Sequence, residues 1–190
     1  ALLRQSGLMC DVTVDERTAA FFALGIAKAS QRPVLLLATS GTAPANWLPA
    51  VMEANQAGVP LILISADRPP ELQACGANQT VDQVNLFGTQ VRASHSLGAP
   101  HEEFEPAWLH RLAARVYEQA SWPHPGPVHI NQPFREPLIP QGNLPASDVP
   151  ADIHIHKPLF CLAPDDIQAV CQAIAGRPGV IVCGELPEDV

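Results

Sequence analysis

Two short continuous apolar runs, PVLLLATS (33–40) and PLILISAD (60–67), have the pattern of strands buried on both faces. Between them, GTAPANWLPAVMEANQAG (41–58) predicts a helix interrupted by Pro44 and Pro49 and stopped at Gly58. Upstream, CDVTVD (10–15) alternates like a strand and runs into Asp15, a good N-cap residue. Ala19, Phe22, Ile26 and Ala29 then recur at helical spacing and predict the buried face of a first helix. Downstream, QVRASHSL (90–97) reads as a less apolar strand. A helix over 105–121 follows, with Pro106 near its start and Leu109, Leu112, Ala113, Val116 and Ala120 along one stripe. GPVHINQPF (126–134) predicts a further strand.

Strands alternating with helices across short connections imply an α/β fold, a parallel sheet with helices on both faces. Ligands of such sheets gather at the carboxyl ends of the strands. Those ends here are Asp15–Glu16, Ser40–Gly41 and Asp67–Arg68. From about 136 the pattern breaks down into a proline-rich stretch, EPLIPQGNLPASDVPADIHIHKP, which reads as a linker over 140–163. PDDIQAVCQAIAG (164–176) then predicts a capped helix and PGVIVCG (178–184) a buried strand, together the start of a second, truncated domain over 164–190.

Composition narrows the function classes. A net charge of −8 over 190 residues argues against a nucleic-acid or anionic-membrane surface. No apolar stretch reaches the length of a membrane span, and the start, ALLRQSGLMC, lacks the flanks of a signal peptide. That start also lacks a methionine, so a processed or cut chain is expected. Five dispersed cysteines with no C-x-x-C suit buried or idle thiols in a reducing compartment, and the cytoplasm is the expected location.

The polar signatures each allow two readings. Glu16 opens an apolar helix, so it is either an acid answering the helix macrodipole or, if turned toward Phe21, Phe22 and Leu24, a carboxyl able to keep or share a proton. TSGTAPAN (39–46) is either an amide-lined turn for an anion or a turn of small residues made for close packing. In SADRPPEL (65–72), Asp67 and Arg68 form either a surface pair or a carboxylate-recognition point. In CGANQTVDQ (75–83), Asn78 and Gln79 offer amides that donate and accept at once, unless Asn78 or Thr80 caps a helix. His154 and His156 have no evident third ligand and read as solvated. His129, inside a strand, reads as a core or interface residue. No metal site is expected within the chain.

Taken in order and spacing, DERTAAFFALGIAKAS, TSGTAPANWLPAVMEA, LILISADRPPEL, GANQTVDQ and PVHINQPFREPL resemble the pyrimidine-binding (PYR) domain of thiamine-diphosphate enzymes. Within them the strings are most similar to the menaquinone-pathway 2-succinyl-5-enolpyruvyl-6-hydroxy-3-cyclohexene-1-carboxylate synthase family (MenD family). The resemblance implies a PYR domain over 1–139 that lacks its first strand and helix. It also implies an enzyme that decarboxylates 2-oxoglutarate and adds the resulting carbanion to isochorismate, using thiamine diphosphate and Mg2+. Glu16 would hydrogen-bond the cofactor's aminopyrimidine ring, Gly41 and Thr42 would form the turn beside the cofactor, and Arg68, Asn78 and Gln79 would meet substrate. The family's diphosphate-binding domain, with its G-D-G…N magnesium motif, is not within 1–190, and family active sites form between subunits. A fragment inactive alone, from a homo-oligomeric enzyme, is therefore expected. The alternatives are the PYR domain of another thiamine-diphosphate 2-oxo-acid enzyme and a non-catalytic α/β binding module.

Overall fold

A computed structural model of the chain describes residues 9–101, 106–139, 153–158, 160–180, 182 and 184. Its elements are α1 (Glu16–Ser30), β1 (Val34–Ala38), a 3-10 turn (Pro44–Trp47), α2 (Leu48–Gln56), β2 (Leu61–Asp67), β3 (Ala93–Ser96), α3 (Pro106–Ser121), β4 (Pro127–Pro133) and α4 (Pro164–Ile174). The four strands pair in the order β1-β2-β4-β3, all parallel, with Leu36 opposite Leu63 and Leu63 opposite His129. This is the α/β class that the alternation implied.

Because strand side chains alternate, the sheet presents two apolar sets to two helical layers. Leu36, Leu61 and Leu63 pack with Ala20, Ala23 and Ala27 of α1, Ala50, Val51 and Ala54 of α2, Trp47 and Phe87. On the opposite face Ile62 and Val128 pack under Val116 and Ala120 of α3, with Leu112 alongside. The prolines expected to interrupt 41–58 do so in an orderly way: Pro44 opens the 3-10 turn and Pro49 sits in the first turn of α2, where its missing N–H costs nothing.

The periodicity misjudged which stripes turn inward. In α1 the buried residues are Ala20, Ala23 and Ala27, while Phe22 and Ile26 of the expected face are 54% and 39% exposed. The reason is close approach, since α1 lies against the sheet and against the alanines of α2, where only small side chains fit. In α3 the packed stripe is Leu112, Val116 and Ala120, leaving Leu109 and Ala113 outside. β1 is not buried on both faces as expected: α3 packs over β2 and β4 and meets β3 at His95–Gln119, and Leu35 and Leu37 stay 53% and 63% exposed.

Residues 10–15 form no strand, with Val12 and Val14 almost fully exposed. A strand is held by its ladder, and no described strand pairs with this segment. The expected strand over 178–184 is likewise not formed by its described residues 178–180, 182 and 184. Much of the expected linker, 140–152 and 159, lies outside the described residues.

The chain divides into two compact units at His156. In the second unit α4 begins with Pro164 after Ala163, without a side-chain cap bond, and carries Asp165 and Asp166 in its first turn. Cys10, Cys75, Cys161 and Cys171 are exposed rather than buried.

Arg92, just ahead of β3, ties three segments of the first unit together. Its guanidinium donates to the carbonyls of His124 (2.9 Å), Pro125 (2.8 Å) and Asn55 (3.1 Å) and to the Asn55 side chain. Gly126 leaves the room for it, since a Cβ there would lie 2.5 Å from the Arg92 Nε. Gly126→Ala is therefore expected to cost about 1–3 kcal/mol in urea unfolding, through overpacking against a guanidinium held by carbonyls. In an Arg92→Ala background the same change should cost much less, because the clash is gone.

Candidate active site at the carboxyl edge of the sheet

The segments expected to carry chemistry converge on one edge because the fold is parallel. β1 and β2 end at Ala38 and Asp67, so Ser40–Thr42 and Arg68 leave the sheet on the same side. α1 ends at Ser30 just ahead of β1 and packs along that strand. Its 15 residues, about 22 Å at 1.5 Å per residue, return its N-terminus and Glu16 to that carboxyl edge.

The two acids at the start of α1 have separate roles. Asp15 Oδ1 accepts the Thr18 N–H at 2.7 Å, and this bond holds the Asp15 carboxyl below its ordinary pKa. Glu16 is only partly exposed, and no hydrogen bond or ion pair engages its carboxylate among the described residues. Phe21 and Phe22 point outward, 43% and 54% exposed, so they do not enclose Glu16 within this unit.

Gly41 is buried with φ +86°, a conformation that favours glycine. A Cβ would lie 2.9 Å from Cγ of Gln79. Its N–H is already spent on Gln83 Oε1 at 2.7 Å, so the turn serves close packing and this amide is not part of an anion cradle. Thr42 is exposed, and its carbonyl accepts from Asn46 Nδ2 at 3.1 Å.

Gln79, at φ +56°, folds its amide onto the end of β1, donating to the Ser40 carbonyl (2.9 Å) and Thr39 Oγ1 (3.1 Å). The Ser40 hydroxyl donates back to the Gln79 carbonyl at 3.0 Å. Arg68 Nε donates to the Asn78 carbonyl at 3.3 Å. Gly41, Arg68, Asn78 and Gln79 are thus linked through one loop clipped to two strand ends. No helix follows Asn78 or Thr80 directly, so neither is a helix cap. Asp67 and Arg68 are not a surface ion pair either: Asp67 is 7% exposed and accepts the backbone N–H of Arg68 at 2.7 Å, leaving the guanidinium without an acidic partner among the described residues. Just beyond, Arg135 pairs with Glu71 at 2.5 Å and ties the end of β4 to the same loop.

Beneath these residues lies a buried polar cluster that no single motif announced. Gln83 donates to the Ala66 carbonyl and to Asn131 Oδ1, both at 2.9 Å. Asn131 Oδ1 also accepts from Ser65 at 2.8 Å, and its Nδ2 donates to Asp67 Oδ2 at 2.7 Å. Because Ser65 spends its one proton on Asn131, its oxygen must accept from His129 Nε2, 2.8 Å away, which assigns the Nε2–H tautomer. His129 is fully buried against the edge of Phe87, and its Nδ1 has no partner among the described residues. Gln83 and Asn131 sit inside strings that sequence reading had singled out. Asn131 is a polar residue at an inward position near the end of β4, legible once the register is known, whereas Gln83 lies in the loop after β2 and carries no such local signal.

Burial, aided by the neighbouring His95, pushes the His129 pKa down to about 4. Between pH 6.5 and 4 the unfolded chain therefore binds a proton that the folded chain refuses. Stability present above pH 6.5 should fall by about 3 kcal/mol as pH drops through that window. Urea unfolding at stepped pH checks this, and His129→Gln should remove most of the slope.

No group of three or more His, Cys, Asp or Glu among the described residues is placed to hold a metal ion, and no described helix is long and apolar enough to cross a membrane. Comparison with known proteins adds two findings. The family model described as thiamine pyrophosphate enzyme, N-terminal TPP binding domain, matches residues 1–86. Relatives bearing the name 2-succinyl-5-enolpyruvyl-6-hydroxy-3-cyclohexene-1-carboxylate synthase match from about two thirds of the chain to nearly all of it. The one from Dechloromonas aromatica is 62% identical over 98% of this chain and 35% of its own length. That from Geobacillus thermodenitrificans is 41% identical over 99% of the chain and 33% of its own length. That from Thermobifida fusca is 50% identical over 74% and 26%. The chain thus spans about a third of the length of the curated relatives it matches.

Proposed function

We propose, from the premise that this chain belongs to the thiamine pyrophosphate enzymes and among them to the 2-succinyl-5-enolpyruvyl-6-hydroxy-3-cyclohexene-1-carboxylate synthase family, that the whole protein decarboxylates 2-oxoglutarate and adds the resulting carbanion to isochorismate. The observation that carries this reading is the pairing, on one sheet edge, of an unengaged Glu16 carboxylate with an Arg68 guanidinium that has no acidic partner among the described residues.

The residues present fit the cofactor's pyrimidine end. Glu16 offers a carboxyl with no described partner to a ring nitrogen, and the Gly41–Thr42 turn lies on the same carboxyl edge of the sheet. When bound, thiamine diphosphate supplies the electron sink for the carbanion left by decarboxylation. Glu16 holds and shares the proton at the ring nitrogen, which needs a site from which water is largely excluded. Arg68 binds substrate carboxylate, with the Asn78 and Gln79 amides beside it. The diphosphate and Mg2+ are held by a separate domain that residues 1–190 do not supply, so the isolated chain is expected not to turn over. Phe21 and Phe22, turned outward on the helix that Glu16 opens, suit a subunit contact that closes the site in a homo-oligomer working in the cytoplasm.

Stripping thiamine diphosphate and Mg2+ from the whole protein tests the reading. Release of carbon dioxide from 2-oxoglutarate should stop and return when both are added back. Full activity in the stripped protein would refute it.

A further inference from the structure

The buried polar cluster joins the two halves of the candidate site end to end. From the cofactor side, the Gly41 N–H donates to Gln83 Oε1 (2.7 Å), and Gln83 Nε2 donates to Asn131 Oδ1 (2.9 Å). Asn131 Nδ2 donates to Asp67 Oδ2 (2.7 Å), and Asp67 Oδ1 accepts the Arg68 N–H (2.7 Å). Gln83 and Asn131 are 1% and 2% exposed, so water does not compete for these bonds.

The direction of every bond follows from one group. The Asp67 carboxylate only accepts, so Asn131 must present its NH2 there and its oxygen to Gln83 and Ser65. Gln83 must then present its NH2 to Asn131 and to the Ala66 carbonyl, which leaves its oxygen for Gly41. No amide in the chain can flip without setting donor against donor or acceptor against acceptor.

We propose that Asp67, Asn131 and Gln83 form a positioning relay that fixes the spacing between the Gly41 turn and Arg68, so that a cofactor beside the turn and a 2-oxo acid held by Arg68 meet in reactive register. The assignment of the two ends rests on the proposed function; the physical coupling between them does not. The relay acts through backbone at its two ends: Gln83 holds the Gly41 N–H, Asp67 holds the Arg68 N–H, and Asn131 joins the two through side-chain bonds.

The relay predicts an exchange of partners that packing alone would not. Asn131→Asp sets two carboxylates against each other across the 2.7 Å contact. In the double variant Asp67→Asn/Asn131→Asp, every bond finds a donor and an acceptor again. Residue 131 accepts from Ser65, Gln83 and residue 67, while residue 67 still accepts the Arg68 N–H.

The test uses the whole protein, well below its melting temperature, with two readouts. Deuterium exchange at the Gly41 and Arg68 amides should be about tenfold faster or more in Asn131→Asp, at both ends, and return toward wild type in the double variant. The kcat with 2-oxoglutarate should fall about 10- to 100-fold in the single variant, with KM shifted much less, and recover in the double variant. Loosening confined to Arg68, with Gly41 unaffected, would overturn the relay. So would a folded single variant with a lower melting temperature and unchanged kcat, which is what a purely structural role gives. If Asn131→Asp does not fold, Gln83→Met serves instead, with Arg68 as the distant reporter. A wild type without 2-oxo-acid decarboxylation would sink the proposed function, while the exchange readout would still decide the relay.

Discussion

Glu16→Gln in the whole protein should lower kcat by about 10²- to 10⁴-fold, the range lost when a positioned proton-transfer group is removed. Glutamine has the same shape and can still hydrogen-bond a ring nitrogen, but it cannot hold and release a proton there. The fold should hardly notice. Asp15, not Glu16, caps α1 through the Thr18 N–H, and no described residue bonds the Glu16 carboxylate. The unfolding free energy should therefore move by no more than about 0.5 kcal/mol, the usual range for a surface substitution away from special features. Steady-state turnover and urea unfolding on the same preparation check both halves. Undiminished kcat would remove Glu16 from the chemistry. A large loss of stability would return it to a structural role.

Arg68→Ala should act on substrate recognition instead. The Arg68 guanidinium has one described bond, from Nε to the Asn78 carbonyl at 3.3 Å, and no described acidic partner. Charge-assisted bonds to a carboxylate contribute about 1.5–3 kcal/mol, so their loss should lower kcat/KM for 2-oxoglutarate by about 10- to 100-fold. Arg68→Lys should recover only part of this, because an ammonium cannot reproduce the two-pronged contact. The backbone at this position should stay in place in both variants, since Asp67 binds the residue 68 N–H whatever the side chain. Equal kinetics for all three proteins would show that substrate does not meet Arg68.

These predictions trace how the sequence maps onto the structure. β2 and β4 were legible because central strands of a parallel sheet are buried on both faces, at Leu61–Leu63 and Pro127–His129, and are therefore mostly apolar. The edge strand misled: the run Val34–Ala38 looks equally apolar, yet only Leu36 is fully covered. α1 was legible as a helix but not as a packing face. Periodicity favours bulky residues such as Phe22 and Ile26, whereas close contact between α1 and α2 selects Ala20, Ala23 and Ala27. Residues 10–15 carry the alternation of a strand, but alternation cannot supply a partner. At the candidate site, the residues that leave the strand ends could be read from turn chemistry at Gly41 and Arg68. The relay beneath them could not, since Gln83 lies 48 residues from Asn131 and their contact depends on how the loop after β2 folds back over β4.

The whole protein, supplied with thiamine diphosphate, Mg2+ and isochorismate and offered 2-oxoglutarate and pyruvate side by side, gives the most direct measurement of the central claim. Carbon dioxide release and isochorismate-adduct formation should both favour 2-oxoglutarate, by at least about tenfold in kcat/KM, because only its second carboxylate gives Arg68 a further group to bind. A preference for pyruvate, or adduct formation indifferent to the 2-oxo acid, would contradict the account.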